Sequence, residues 1–172
     1  MIPEKMQTAI NDQINAEMYS AYLYLSMGAY FDALNLGGFA NWMKIQAQEE
    51  MVHATKFYDF LVERGGKVLL RAIEGPATEW PTPLAIFEAV YAHECKVTGL
   101  INDLVAIARE QNDNASQIFL QWFVTEQVEE ESTADGIVQK LKLIGKDGQG
   151  LFMMDRELAL RVFTPPATGK PA

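Results

Sequence analysis

Glu50-Met51-Val52-His53 sets a carboxylate and an imidazole three residues apart. On a helix that spacing puts both on one face, where they can ligate one metal ion. Alone the pair is a weak signal, because Glu-x-x-His arises by chance in many helices. Its neighbours strengthen it. Read at the three-four spacing of a helix, the chain gives four stripes. They are Ile10, Ile14, Glu17, Ala21, Tyr24, Gly28, Phe31; then Phe39, Met43, Gln46, Glu50, His53, Phe57, Phe60; then Phe87, Tyr91, Glu94, Thr98, Ile101, Val105, Ala108; and last Leu120, Phe123, Gln127, Glu130, Ala134, Ile137, Leu141, Ile144. Each carries a carboxylate among apolar neighbours, and the stripes hold almost no base to pair with it. An unpaired buried ion costs several kcal/mol, against a net stability of about 5–15 kcal/mol for a whole protein. Glu17, Glu50, Glu94 and Glu130 therefore need cations if the stripes share one core. Two divalent ions balance four carboxylates. One imidazole with carboxylates is a hard-to-borderline donor set, better matched to iron or manganese than to copper or structural zinc.

In bundles that hold two irons with carboxylates, two helices give one Glu each and the other two give a Glu-x-x-His each. Here the second copy is replaced by Gln127-Val128-Glu129-Glu130, with a neutral amide and a carboxylate three apart. A further acidic set lies one residue over: Glu49 beside Glu50, and Glu126 with Glu129 beside Gln127 and Glu130. Two readings of this set stand, a solvated acidic face or an outer metal site that shares Glu130 and passes ions to or from the central pair. Tyr24 is two turns from Glu17 on the same stripe, so its hydroxyl is in reach of the metals. Tyr24 and Trp122 otherwise read as core-filling aromatics. His93 follows the stripe one position before Glu94 and points about 100° away from it, which predicts a capping or surface role.

Long helices are needed to carry such stripes, and the glycines and prolines delimit them. A first helix is expected from just after Pro3 to Asn35-Leu36-Gly37-Gly38, and a second from Phe39 to Gly65-Gly66. The third starts after Pro81-Thr82-Pro83, with Thr82 as cap, and ends around Gln111 to Asn114. A fourth runs on to Gly145, and a short fifth lies between Gly148 and Phe163, stopped by Pro165-Pro166. Only residues 67–83 form a long connection, enough to run back along a bundle, whereas the short turns force antiparallel neighbours. The expected fold is all-α, a four-helix bundle with one long crossover plus a short C-terminal helix. Residues 1–164 form one domain, and 165–172 a short disordered tail.

Composition narrows the function classes. The 172 residues carry 23 acids against 14 bases, a net charge of −9. Nucleic-acid phosphates need a clustered positive surface, so cations are the better partners. A single cysteine, Cys95, permits no internal disulfide and no Cys-x-x-Cys metal site. No apolar run is long enough to span a membrane, and the opening residues lack the layout of a signal peptide. A cytoplasmic location follows as the expectation.

The pattern as a whole resembles the prokaryotic non-haem ferritins over about residues 4 to 163. The carriers are Asn15-Ala16-Glu17 with Tyr22-Leu23-Tyr24, Gln48 to His53, Tyr91-Ala92-His93-Glu94, and Phe119 to Glu131. What the resemblance implies is an iron-storage protein with ferroxidase activity. It would oxidise Fe(II) with oxygen or hydrogen peroxide at a di-iron centre inside each bundle, and keep ferric mineral inside a cage of 24 subunits. By that match Glu17, Glu50 and His53 hold one iron, and Glu50, Glu94 and Glu130 the other, with Gln127 beside them. Glu49, Glu126 and Glu129, with Glu130, match a third iron site. Tyr24 and Trp122 resemble hydrogen-bond partners and electron donors in oxygen reduction. Met51 stands where bacterioferritins carry a haem-binding methionine. Those proteins also keep the second Glu-x-x-His, so its absence here argues for a haem-free chain with Met51 as a helix-surface residue. The rival from another class is a helical scaffold whose acids bind cations adventitiously.

Overall fold

The computed structural model describes residues 1–165, and the tail expected over 165–172 lies, after Pro165, outside the described residues. Helix α1 spans Glu4–Ala33, α2 Gly37–Glu63, α3 Pro83–Glu110, α4 Asn114–Ile144 and α5 Gly148–Leu158, with no strand among the described residues. Pro3 opens α1 at φ −61°, a value that suits a first turn. Thr82 caps α3 by accepting from the Ala85 N–H at 3.1 Å. Asp113 does the same for α4 through Ser116, and Asp147 caps α5 through Gln149 and Gly150.

Two boundaries differ from the sequence expectation. Gly37-Gly38 reads as a stop, yet both residues lie inside α2. The turn is made one step earlier by Asn35 in the left-handed region at φ +57°, with the Leu36 N–H donating to the Phe31 carbonyl at 3.0 Å. Gly38 serves a close approach: a Cβ there would sit 1.6 Å from the Asp155 carbonyl oxygen of α5. In return the Asp155 carboxylate accepts from the Gly38 and Phe39 N–H groups at 2.8 and 3.1 Å, capping α2 from another helix. The second difference is α5, which ends at Leu158 and not near Phe163. Asn41 Nδ2 binds the carbonyls of Leu158, Ala159 and Arg161 at 3.3, 3.4 and 3.1 Å, drawing the chain out of the helix and onto α2.

Helices α1 and α2 pack together through their short turn, as do α3 and α4. The crossover between α2 and α3 runs the length of α1. Asn11 holds Lys67 and Leu69, Asn15 holds Ala72, Ser26 holds Ala77, and the Tyr30 hydroxyl donates to the Trp80 carbonyl. These partners advance together along both segments, so the connection runs parallel to α1 and returns the chain to start a second antiparallel pair.

The core is split in two. One apolar cluster gathers Phe31, Phe39, Met43, Phe87, Leu141 and Leu158, and the other Met6, Ile10, Phe57, Leu61, Ile101 and Phe123. Between them lies a belt of buried polar groups: Glu17, Gln46, Glu50, His53, Glu94, Gln127 and Glu130. On α3 the stripe turns at Val90 and Val97, both buried, whereas Tyr91 is exposed. A step of three or four from Phe87 suits the period equally, and the packing takes three.

Candidate metal centre

Each helix contributes the middle of its buried stripe to the belt. Ligand atoms of Glu17, Glu50 and His53 lie within 4.8 Å of one another, all three residues buried. The Glu50–His53 contact is 3.4 Å, from Oε2 to Nδ1. His53 also lies in a second group, with Glu126 and Glu130, at the same mutual reach. Gln46 ties the two together by donating to Glu50 at 3.3 Å and to Glu130 at 2.8 Å. Glu94 belongs to neither group. Its carboxylate accepts from the Tyr24 hydroxyl and from Gln127 Nε2 at 3.3 Å, and the same amide reaches Thr98.

Electrostatics set this arrangement apart from ordinary packing. Burial holds the Glu17 and Glu50 carboxyls well above the usual carboxylate range, and their carboxylate neighbours raise them further. Burial, then the charge of Glu94, pushes Glu130 up to about 7. Glu94 is raised by burial against the hydrogen bonds from Tyr24 and Gln127. Burial and the Glu94 charge also raise the Tyr24 hydroxyl, so it remains a donor. Gln13 satisfies one Glu17 oxygen at 2.8 Å, but Glu17 Oε2 and Gln46 Oε1 have no partner among the described residues. Unsatisfied buried acceptors are uncommon. Two of them beside three convergent ligand atoms form a cradle that a cation fits.

Of the residues singled out in the sequence, Glu17, Glu50 and His53 come together, Glu130 sits beside them, and Tyr24 and Gln127 hold Glu94 at the edge. Trp122 packs edge-on to the His53 ring with centroids 5.4 Å apart. Glu126 joins His53 and Glu130, whereas Glu129 is exposed and Glu49 is paired with Arg161. His93 is neither a cap nor a free surface residue. It is half-buried, with Nε2 2.8 Å from the Ser20 hydroxyl and its ring against Tyr19 and Tyr24, because the α1–α3 contact covers it. Met51 lies on the outside of α2, 45% exposed. Sequence reasoning left out Gln13 and Arg161, and gave Gln46 no role. The two glutamines carried a signal, since each stands four residues before its glutamate on the same helix. Arg161 carried none.

A two-pair bundle with one crossover, built around a buried carboxylate belt, defines the class of protein, and comparison with known proteins bears it out. Residues 7–144 match the model of the ferritin-like domain. A bacterial non-heme ferritin of Bacteroides fragilis is 50% identical over 161 residues, covering 94% of this chain and all of that relative. A probable bacterial non-heme ferritin-like protein of Haemophilus influenzae is 40% identical over 158 residues, 92% of this chain and 96% of that one. Among solved structures, the open-pore ferritin of the archaeon Archaeoglobus fulgidus superposes with a TM-score of 0.93 at 57% identity, covering 94% of this chain and 98% of its own. An engineered closed form of that ferritin gives 0.94 at the same identity, with 95% and 100% covered. The chain belongs to the ferritin-like family.

Proposed function

We propose that this protein oxidises Fe(II) at the belt of buried carboxylates and keeps the ferric product as mineral inside a hollow assembly of its own copies. Iron storage is the function of the ferritins it resembles. The oxidation step is supported by one observation above the rest: Glu17, Glu50 and His53 converge in a buried site that leaves Glu17 Oε2 without a donor among the described residues.

In this reading Glu17 and His53 hold one Fe(II), Glu94 and Glu130 hold the other, and Glu50 between them contacts both. Arriving iron displaces the protons that burial leaves on these carboxyls, which makes binding proton-coupled. Each Fe(II) gives up one electron. Oxygen that accepts two electrons and two protons leaves as hydrogen peroxide, and peroxide that accepts the same leaves as two waters. Tyr24 and Gln127 keep Glu94 in place through this change. Glu126 and Glu130, with Glu49 and Glu129 near the surface, form the outer site for a third iron on its way to the store.

The number of copies, 24, comes from the resemblance, and a cytoplasmic location is part of the same proposal. Among the described residues no helix is long and apolar enough to cross a membrane. Crystals soaked in Fe(II) without oxygen test the site. Anomalous scattering at the iron edge is expected to peak between Glu17, Glu50 and His53, and between Glu50, Glu94 and Glu130. Peaks confined to surface acids would overturn the reading in favour of adventitious binding.

A further inference from the structure

Arg161 reaches back from the segment after α5 onto α2. Its guanidinium lies 4.5 Å from the centre of the Trp42 ring, one nitrogen donates to the Trp42 carbonyl at 3.3 Å, and the other is paired with the carboxylate of Glu49. The segment is held there by a separate set of bonds, those from Asn41 to the carbonyls of Leu158, Ala159 and Arg161. The guanidinium is thus built into its place against a half-buried glutamate that adjoins Glu50. A guanidinium nitrogen on one oxygen of the carboxylate occupies a position that a metal would need, and its positive charge repels an arriving cation.

We propose that Arg161 is the resident counter-ion of the outer site, a positioning residue that competes with the third cation for Glu49. It makes this site weaker than the central pair, so it fills last and gives up its iron readily. The inference rests on the outer-site reading of Glu49, Glu126, Glu129 and Glu130. For Glu49 to turn both of its oxygens to a metal, the guanidinium must let go of Oε2, and its position over Trp42 changes with it. Trp42 fluorescence therefore reports the exchange.

The test is calorimetric titration of the metal-free, assembled protein with Zn(II), a redox-inert probe. R161Q is expected to tighten the weakest class of sites by at least about tenfold, the size of effect a nearby unit charge exerts at a protein surface. R161K, which keeps the charge, should stay near wild type, and R161Q should have no such effect in an E49Q background. If E49Q weakens this class but R161Q leaves it unchanged or weaker, the outer site stands and Arg161 is only a brace. Equal tightening by R161K and R161Q also overturns the proposal. If E49Q alters no class, the outer-site reading itself fails. A second measurement needs no change at Arg161: in a W80F/W122F background, filling the weakest class should shift Trp42 emission, and the shift should vanish with E49Q. Unchanged Trp42 emission as the class fills would contradict the exchange.

Discussion

At the scale of single residues, the belt is a set of acids that the metal-free protein keeps partly protonated at some cost. Glu130 makes the cost measurable. In the unfolded chain its carboxyl titrates near 4.5, and in the folded protein near 7. Between those values the native state binds more protons, so this contribution to stability is whole below pH 4.5 and is lost as the pH rises through 7. His93, held near 4 by burial and then by Lys96, works in the opposite sense, so the Glu130 effect is best isolated by substitution. The stability advantage of metal-free E130Q over wild type should therefore grow between pH 5 and pH 7.5, by up to about 3 kcal/mol. Denaturant midpoints at the two pH values check this, and an advantage that is flat or shrinks with pH would refute it. Much of the belt was legible because Glu17, Glu50, His53, Gln127 and Glu130 fall on the helical period among apolar residues. Arg161 was not, since its pairing with Glu49 spans 112 residues and depends on how α5 docks.

At the scale of elements, stripes and caps placed α1 to α4 to within a few residues, because each boundary has a local cause in Pro3, Thr82, Gly65 or Gly145. The boundaries that moved have tertiary causes. Gly37-Gly38 has the composition of a turn, but the Asn35 turn already reverses the chain, and Gly38 is needed where α5 crosses. Two neighbouring substitutions separate these roles. Among the described residues an added Cβ at Gly37 meets nothing within 4 Å, so G37A should be neutral or stabilising by up to about 1 kcal/mol through helix propensity. G38A drives a methyl into the backbone of α5 and should destabilise by about 1–3 kcal/mol or more, with loss of the Asp155 cap. Thermal unfolding of the pair decides it. Equal midpoints would mean that α5 does not rest on α2 as described.

At the scale of the whole molecule, the surface that one bundle leaves uncovered points to assembly. Phe152, Met153, Leu160 and Val162 are 63–79% exposed on and after α5, and Tyr22, Leu25 and Met51 line an apolar groove along α1 and α2. Burying even about 100 Å² per chain at repeated contacts contributes about 2.5 kcal/mol each time. Light scattering should give a particle near half a megadalton from chains of 19.3 kDa. F152E/M153E should yield smaller species, and a stable wild-type monomer or dimer at micromolar concentration would contradict the cage while leaving the iron chemistry intact. The central claim concerns that chemistry in the assembled protein. Stopped-flow oxidation of Fe(II) by E50A, with helicity and particle size verified, tests it most directly. Removing the carboxylate proposed to contact both irons should bring the initial rate down to that of buffer, whereas oxidation at the wild-type rate would show that the buried belt is not where iron is oxidised.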